Sequence, residues 1–321
     1  MGGLHDVQMP AGPQAAVLFE LWIAMLVVCV VVFLAVMAAL AAGIWRASPA
    51  TDTTAPDLAS HPRIESRLRR VVGYALAAST LLLFGLLIAS FMSDRAIARL
   101  PLSDAVHIDL IGHQFWWEAR YEPTDPTLTF TTANELHVPV GRPVLLTLRS
   151  DDVVHSFWVP SLHGKKDLIP GRESTFAFRA DKAGMYRGQC AEFCGYQHAH
   201  MTLYVIAEEP AQYGEWVRRQ RQPAAVPATD EQRRGRDLVV EKTCGMCHAI
   251  AGTMAQGRRA PDLTHMASRL TLGAGIVANN GDTRTSWIAN AQKMKPGVNM
   301  PPLALPREDL AAISAYLGTL R

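Results

Sequence analysis

The chain opens with two long apolar runs and then changes rhythm. Leu21 to Trp45 is 25 residues without a charge, and Val71 to Ser93 is 23. At about 1.5 Å of rise per residue, each run is long enough to cross a hydrocarbon core of roughly 30 Å as a helix. The first run differs from a secretory signal peptide: residues 1–20 hold no Lys or Arg, and the apolar stretch is longer than a signal needs, although Ala38–Ala42 imitates a cleavage site. Between the runs, residues 46–70 carry Arg46, Arg63, Arg67, Arg69 and Arg70. That basic loop predicts a cytoplasmic connection, with both termini on the outer face.

Beyond about Asp94 the pattern becomes strand-like. Val106–Tyr121, Pro143–Leu148, Val153–Val159, Glu173–Phe178 and Thr202–Ile206 are rich in β-branched and aromatic residues, and turn clusters such as Pro123–Pro126 and Pro170-Gly171 divide them. Short strands at this spacing predict an all-β Greek-key barrel or sandwich. A helix follows over Pro210–Arg221, then a Pro-containing linker, Gln222–Ala228. Thr229-Asp-Glu-Gln232 reads as a capping box that starts a helix running towards Glu241. A closing helix is expected from Arg307 through Leu317. The chain divides into a tail (1–20), transmembrane helix 1 (21–45), a loop (46–70), transmembrane helix 2 (71–93), a β domain (94–210), a linker (211–229) and an all-α domain (230–321).

Overall charge is only +2, unevenly spread. Residues 94–210 hold 11 Lys/Arg against 15 Asp/Glu, and residues 230–321 hold 12 against 8. A basic C-terminal domain docking on an acidic β domain is one reading, and scattered solvated charge is the other. No basic run interleaved with aromatics points to nucleic acid.

Five cysteines carry most of the candidate chemistry. Cys190-Ala-Glu-Phe-Cys194-Gly-Tyr-Gln-His198-Ala-His-Met201 gathers thiolates, imidazole and thioether, a soft set suited to copper in electron transfer. Two cysteines suggest that both sulfurs bridge a copper pair; a Cys190–Cys194 disulfide is the alternative. His155, in an apolar strand-like run, is available as a second imidazole. Cys244-Gly-Met-Cys247-His248 is the C-x-x-C-H pattern of covalent c-type haem attachment. A zinc reading needs a second Cys/His pair, and His265 is the one other histidine after position 248. Methionine is the expected distal iron ligand, with Met300 and Met294 as late candidates. Cys29 remains, read as a buried small hydrophobe.

These motifs carry a resemblance. Residues 94–210 resemble the dinuclear-copper (CuA) domain of cytochrome c oxidase subunit II, and residues 230–321 resemble a small class I cytochrome c. Together, residues 15–321 resemble subunit II of a caa3-type oxidase. The implied fold is a two-helix transmembrane hairpin, an all-β cupredoxin-like Greek-key barrel and an all-α class I cytochrome c domain. The resemblance implies copper ligands His155, Cys190, Glu192 (through its carbonyl), Cys194, His198 and Met201. It also implies a magnesium or manganese ion at the subunit I boundary on the Glu192 side chain. Asn299-Met300-Pro301-Pro302 resembles the haem ligand loop and favours Met300. In Gly112-His113-Gln114-Phe115-Trp116-Trp117, Phe115 stands where the family has an electron-accepting tryptophan, so Phe115 and Trp116 are the candidate electron path. Asp167–Arg172 matches a segment at the subunit I interface, and Glu65 is a candidate for proton uptake.

The implied role is to admit electrons to a proton-pumping haem-copper oxygen reductase in a bacterial inner membrane. They would pass from cytochrome c or another donor through haem c and CuA to haem a of subunit I, with subunit III as a further partner. The corresponding subunit of a nitric oxide reductase is a rival that shares both cofactors. A membrane-anchored copper carrier is another, but carriers need labile, exposed ligands.

Overall fold

The computed structural model describes residues 5–47, 62–242 and 244–321. These fall into two compact units, Val17–Arg99 and the remainder. The first unit holds nearly all of α1 (Pro13–Arg46) and α2 (Pro62–Ile97). Both helices are long and apolar enough to cross a membrane by length and composition. They overrun the uncharged sequence runs because Arg63–Arg70 and Asp94–Arg95 continue the α2 pattern in helix-compatible residues. Cys29 is exposed on α1. The expectation of a buried residue was wrong, because α1 packs no core around it. Most of the 46–70 loop, residues 48–61, lies outside the described residues.

The second unit contains a β domain and a helical domain. The β domain has ten strands: β1 (Val106–His113), β2 (Trp116–Tyr121), β3 (Phe130–Ala133), β4 (Glu135–Pro139), β5 (Pro143–Ser150), β6 (His155–Trp158), β7 (Lys166–Leu168), β8 (Ser174–Arg179), β9 (Gly184–Cys190) and β10 (Thr202–Glu208). They form two five-stranded sheets, ordered β3-β2-β1-β5-β8 and β4-β10-β9-β6-β7. Each sheet is mixed, with β1 parallel to β5 and β4 parallel to β10. This is a cupredoxin-like sandwich that curls into a half-barrel. Its core is built from alternating inward residues, among them Leu110, Leu146, Leu148, Trp117, Phe157, Phe178 and Val205. Alternation is what a strand with one buried face produces.

Two features fix the barrel's ends. The segment before α1 is sewn to it: Ala11 N–H donates to the Ser161 carbonyl at 2.7 Å, and Asp181 N–H donates to the Ala11 carbonyl at 2.7 Å. At the opposite end of the domain sequence, α3 (Pro210–Gln220) seats Trp216 against His137, with the rings stacked 4.2 Å apart, and against Tyr121.

The C-terminal domain is helical: α4 (Asp230–Glu241), α5 (Cys244–Cys247), α6 (Gly281–Ala289), α7 (Ala291–Met294) and α8 (Arg307–Leu317), with a small β11–β12 hairpin (Thr271–Leu272, Val277–Ala278). The capping box forms as the sequence predicts: Gln232 N–H donates to Thr229 Oγ1 at 3.2 Å, and the Gln232 side chain returns to the Thr229 N–H. Crossing of α4 and α8 organises the core of Leu238, Val239, Ile313, Tyr316 and Leu317. Contact at the crossing is backbone to backbone, since a Cβ on Gly235 would lie 1.9 Å from the Ala312 carbonyl oxygen. The linker is held too, by an Ala224 N–H to Ala251 carbonyl bond of 3.0 Å.

Candidate functional site

The end of β6, the end of β9 and the 191–201 loop bring the candidate copper ligands together. β6 pairs antiparallel with β9, with Phe157 opposite Cys190. That register sets His155 beside Cys190. Its ring nitrogen and the sulfurs of Cys190 and Cys194 all lie within 4.8 Å of one another. His155 Nδ1 is 3.9 Å from Cys190 Sγ, His198 Nδ1 is 3.7 Å from Cys194 Sγ, and Met201 Sδ is 3.9 Å from Cys194 Sγ. The Glu192 carbonyl oxygen is 3.1 Å from Cys190 Sγ. The other four candidate residues therefore surround the Cys190–Cys194 sulfur pair. Both cysteines are free thiols. His155, Cys190, Cys194 and Met201 are buried.

The thiols interact strongly. A hydrogen bond between the two sulfurs draws Cys190 well below the usual thiol range and pushes Cys194 above it. Metal binding to the pair requires both sulfurs as thiolates and releases their remaining protons. Two soft sulfurs, two imidazoles and a thioether in a closed pocket fit copper.

Sequence reading missed the groups behind these ligands. Asp152 accepts from His155 Nε2 at 2.7 Å and from the Gln114 and Val153 N–H groups at 2.6 Å each. Burial works against its charge, but the bond from His155 and the two backbone bonds outweigh it and keep the carboxyl below its ordinary range. The carboxylate orients the imidazole so that Nδ1 faces the sulfurs. Gly112 makes room for that ring, because a Cβ there would sit 2.7 Å from His155 Cδ2. The signal along the chain was an Asp three residues before a candidate ligand, a spacing that ordinary turns also produce.

The Glu192 carboxylate takes no part in the sulfur cluster and pairs with Lys165 at 3.2 Å. Phe115 is buried, with its ring against Gly195, and Trp116 is half-buried and stacked on His113 at 4.3 Å. Asp167 in the 167–172 segment bonds Ser156 Oγ at 2.7 Å.

In the helical domain, α5 presents Cys244 and Cys247 as free thiols on one turn, followed directly by His248. His248 Nδ1 donates to the Pro261 carbonyl at 2.6 Å, which leaves Nε2 as a ligand atom. Burial lowers its basicity and so favours the neutral ring that metal binding requires. These groups fit covalent haem with a histidine ligand. Met300 sits in a loop tied by Gln292 Nε2, which donates to its carbonyl at 2.9 Å and also to that of Val298. Met294 ends α7.

Fold and site together define a membrane-anchored redox protein of two joined domains, one of cupredoxin type and one of cytochrome c type. Comparison with known proteins agrees. Residues 124–208 match the family model for the cytochrome c oxidase subunit II periplasmic domain, and residues 232–321 match that for cytochrome c. Cytochrome c oxidase subunit 2 of Alkalihalophilus pseudofirmus is 37% identical over 220 residues, covering 68% of this chain and 62% of that one. The protein of the same description from Bacillus sp. (strain PS3) is 31% identical, over 68% of this chain and 63% of its own. A solved periplasmic domain of oxidase subunit II from Bradyrhizobium japonicum aligns at 31% identity and a TM-score of 0.35, covering 37% of this chain and 95% of its own. The chain thus spans somewhat under two thirds of the length of the curated relatives it matches. It belongs to the cytochrome c oxidase subunit II family, in the caa3-type form that carries a cytochrome c domain. These families imply copper and haem c, and with two apolar helices they make this an inner-membrane protein of two spans.

Proposed function

We propose that the chain is the subunit through which electrons enter a proton-pumping haem-copper oxygen reductase. When bound, a covalent haem c and a dinuclear copper centre supply reversible one-electron chemistry between a donor and haem a of subunit I. The single observation that carries this reading is the closure of His155, His198, Met201 and the Glu192 carbonyl around the Cys190–Cys194 pair, with a C-x-x-C-H turn in the same compact unit. His155, Cys190, Cys194, His198, Met201 and the Glu192 carbonyl would hold the coppers. Cys244 and Cys247 would bond the haem, with His248 and Met300 as its axial ligands.

The chain's own residues supply rigidity and dryness. Asp152 fixes the His155 ring, Pro261 fixes the His248 ring, and the β-domain core closes over the sulfurs. Held ligands reorganise little when charge changes. Hydrogen bonds from the segment before α1 to the β domain support an N-terminus on the same face as that domain. Exposed Phe193 and Tyr196, flanking Cys194, suit contact with subunit I. A magnesium or manganese ion on Glu192 would have to displace Lys165. Subunit III and a cytochrome c donor complete the proposed assembly.

Elemental and haem analysis of the purified complex tests this. Two coppers assigned to this chain and one haem that survives denaturation are expected. A one-copper EPR pattern overturns the dinuclear assignment. Met300→Ala, and not Met294→Ala, should abolish the near-infrared band of methionine-ligated haem. Co-purification with a nitric oxide reductase catalytic subunit would replace the oxygen reductase reading.

A further inference from the structure

Lys295 is 1% exposed, the most deeply buried lysine described in the chain. It belongs to the helical domain, at the end of α7, yet its ammonium reaches into the β domain. Nζ donates to the carbonyl oxygens of Phe115 at 2.8 Å, His200 at 2.7 Å and Gly273 at 2.6 Å. The first two acceptors belong to the β domain and the third to the lysine's own domain. An ammonium has three N–H donors, and all three are used. Burying such a charge against carbonyls alone is costly.

The surrounding contacts are of the same kind. Gln197 Nε2 donates to the Pro296 carbonyl at 2.8 Å, Thr202 N–H to the Ala274 carbonyl at 3.0 Å, and Leu270 N–H to Glu135 Oε1 at 2.6 Å. Val298, two residues before Met300, packs against the β-domain core. Gly273, Ala274 and Gly275 all have positive φ, a turn that brings their backbone close to Thr202, where a Cβ on Gly275 would lie 2.7 Å from the Thr202 Cβ. Among the described residues no ion pair of 4 Å or less joins the two domains, despite their opposite net charge. The β-domain side of this contact, Phe115 and residues 197–202, is the backbone that carries the candidate copper ligands His198 and Met201.

We propose that Lys295 is a positioning residue. Its ammonium clamps the haem domain, by the face that bears the Met300 loop, onto the Phe115 and His200 carbonyls, so that electrons pass between the two redox sites at one fixed separation. This rests on the function proposed above. Because tunnelling falls off exponentially with separation, a clamped interface transfers at a single rate. An unclamped, tethered domain has to search for its docked pose before each transfer.

The test uses the purified full-length complex. Haem c is reduced by a photoexcited ruthenium complex, and the copper centre is followed in the near infrared. In the unmodified protein, transfer should be insensitive to ionic strength and to viscosity. Lys295→Met keeps the volume and removes the three donors. It should slow transfer at least tenfold and make it fall with added glycerol, while copper content, haem content and the methionine-ligation band stay intact. Loss of packing within one domain alone would alter those spectra and would not create a viscosity dependence. Wild-type, viscosity-independent transfer in Lys295→Met with both cofactors loaded overturns the proposal and leaves the functional reading standing. Failure of the unmodified protein to bind copper or haem overturns that reading instead. A second measurement needs no variant: acylation with an N-hydroxysuccinimide ester should modify the exposed Lys293 and spare Lys295. Equal modification of both also overturns the clamp.

Discussion

Single residues decide how firmly the candidate ligands are held. Asp152 makes no metal contact of its own in the proposed site, yet it accepts from the outer nitrogen of His155. Asp152→Asn removes the charge and allows the amide to face the ring either way. Copper should then be lost to a competing chelator with 10–100-fold weaker apparent affinity, at unchanged haem content; this is about the range typical of such supporting groups. His163 gives a pH prediction. Burial pushes its imidazole from 6.5 down to about 4, while its Nδ1 accepts from the Gly164 N–H at 2.6 Å. The folded protein therefore keeps the ring neutral over a range where the unfolded chain protonates it. Its contribution is fully present above pH 6.5 and is lost as pH falls towards 4, by up to about 3 kcal/mol. Thermal midpoints at pH 7, 5.5 and 4.5 should fall less steeply in His163→Phe than in the unmodified protein, and parallel slopes would refute the assignment.

At the scale of elements, the helical domain depends on one close approach. With 1.9 Å between a Cβ on Gly235 and the Ala312 carbonyl oxygen, Gly235→Ala cannot be relieved by a rotamer change, and α4 has to move away from α8. The expected loss is about 3 kcal/mol or more, at the upper end of overpacking. It is read as an earlier thermal loss of the haem domain's circular dichroism. Gly281→Ala, where a Cβ meets nothing within 4 Å, is the control and should change little. Strands with strong β-branched content were legible before the structure, and β1, β2, β5, β6, β8 and β10 fall in the expected stretches. β9 was not, although it ends on Cys190. Its residues, Gly184–Cys190, alternate weakly and include two glycines, and Gly188 is small because a Cβ there would meet the Trp158 carbonyl oxygen at 2.7 Å. Neighbouring strands, not local propensity, make it a strand.

For the whole molecule, the consequence is how electrons reach the copper domain. Deleting residues 223–321 removes the haem domain together with Lys295, Ala274 and Pro296 and frees the Phe115 and His200 carbonyls. If the domain's own haem is the main route, the truncated protein, loaded with copper, should accept electrons from soluble cytochrome c more slowly than the full-length chain accepts turnover electrons. The gap should persist as salt is raised, because the interface is held by buried hydrogen bonds and screening acts chiefly on exposed charges. Equal rates at every salt concentration would remove the haem domain from the main route.

The sequence by itself determined the parts whose chemistry is local. Two uncharged runs of membrane length, the Cys190–Met201 donor cluster, the C-x-x-C-H turn and the Thr229–Gln232 capping box all stand in spacings short enough to be read along the chain, whereas His155, 35 residues before Cys190, was legible only through the family resemblance. The tertiary structure alone decided which distant groups meet. Asp152 behind His155 depends on the turn between β5 and β6, and Pro261 behind His248 on how the chain returns past α5. The Lys295 cage draws on residues 22, 95 and 180 positions away. Lys293 and Lys295 stand two residues apart, and nothing in the sequence marks the second for burial. Its environment is created only where the β domain and the helical domain meet around it, because backbone carbonyls are present at every residue and only their convergence in space makes a site.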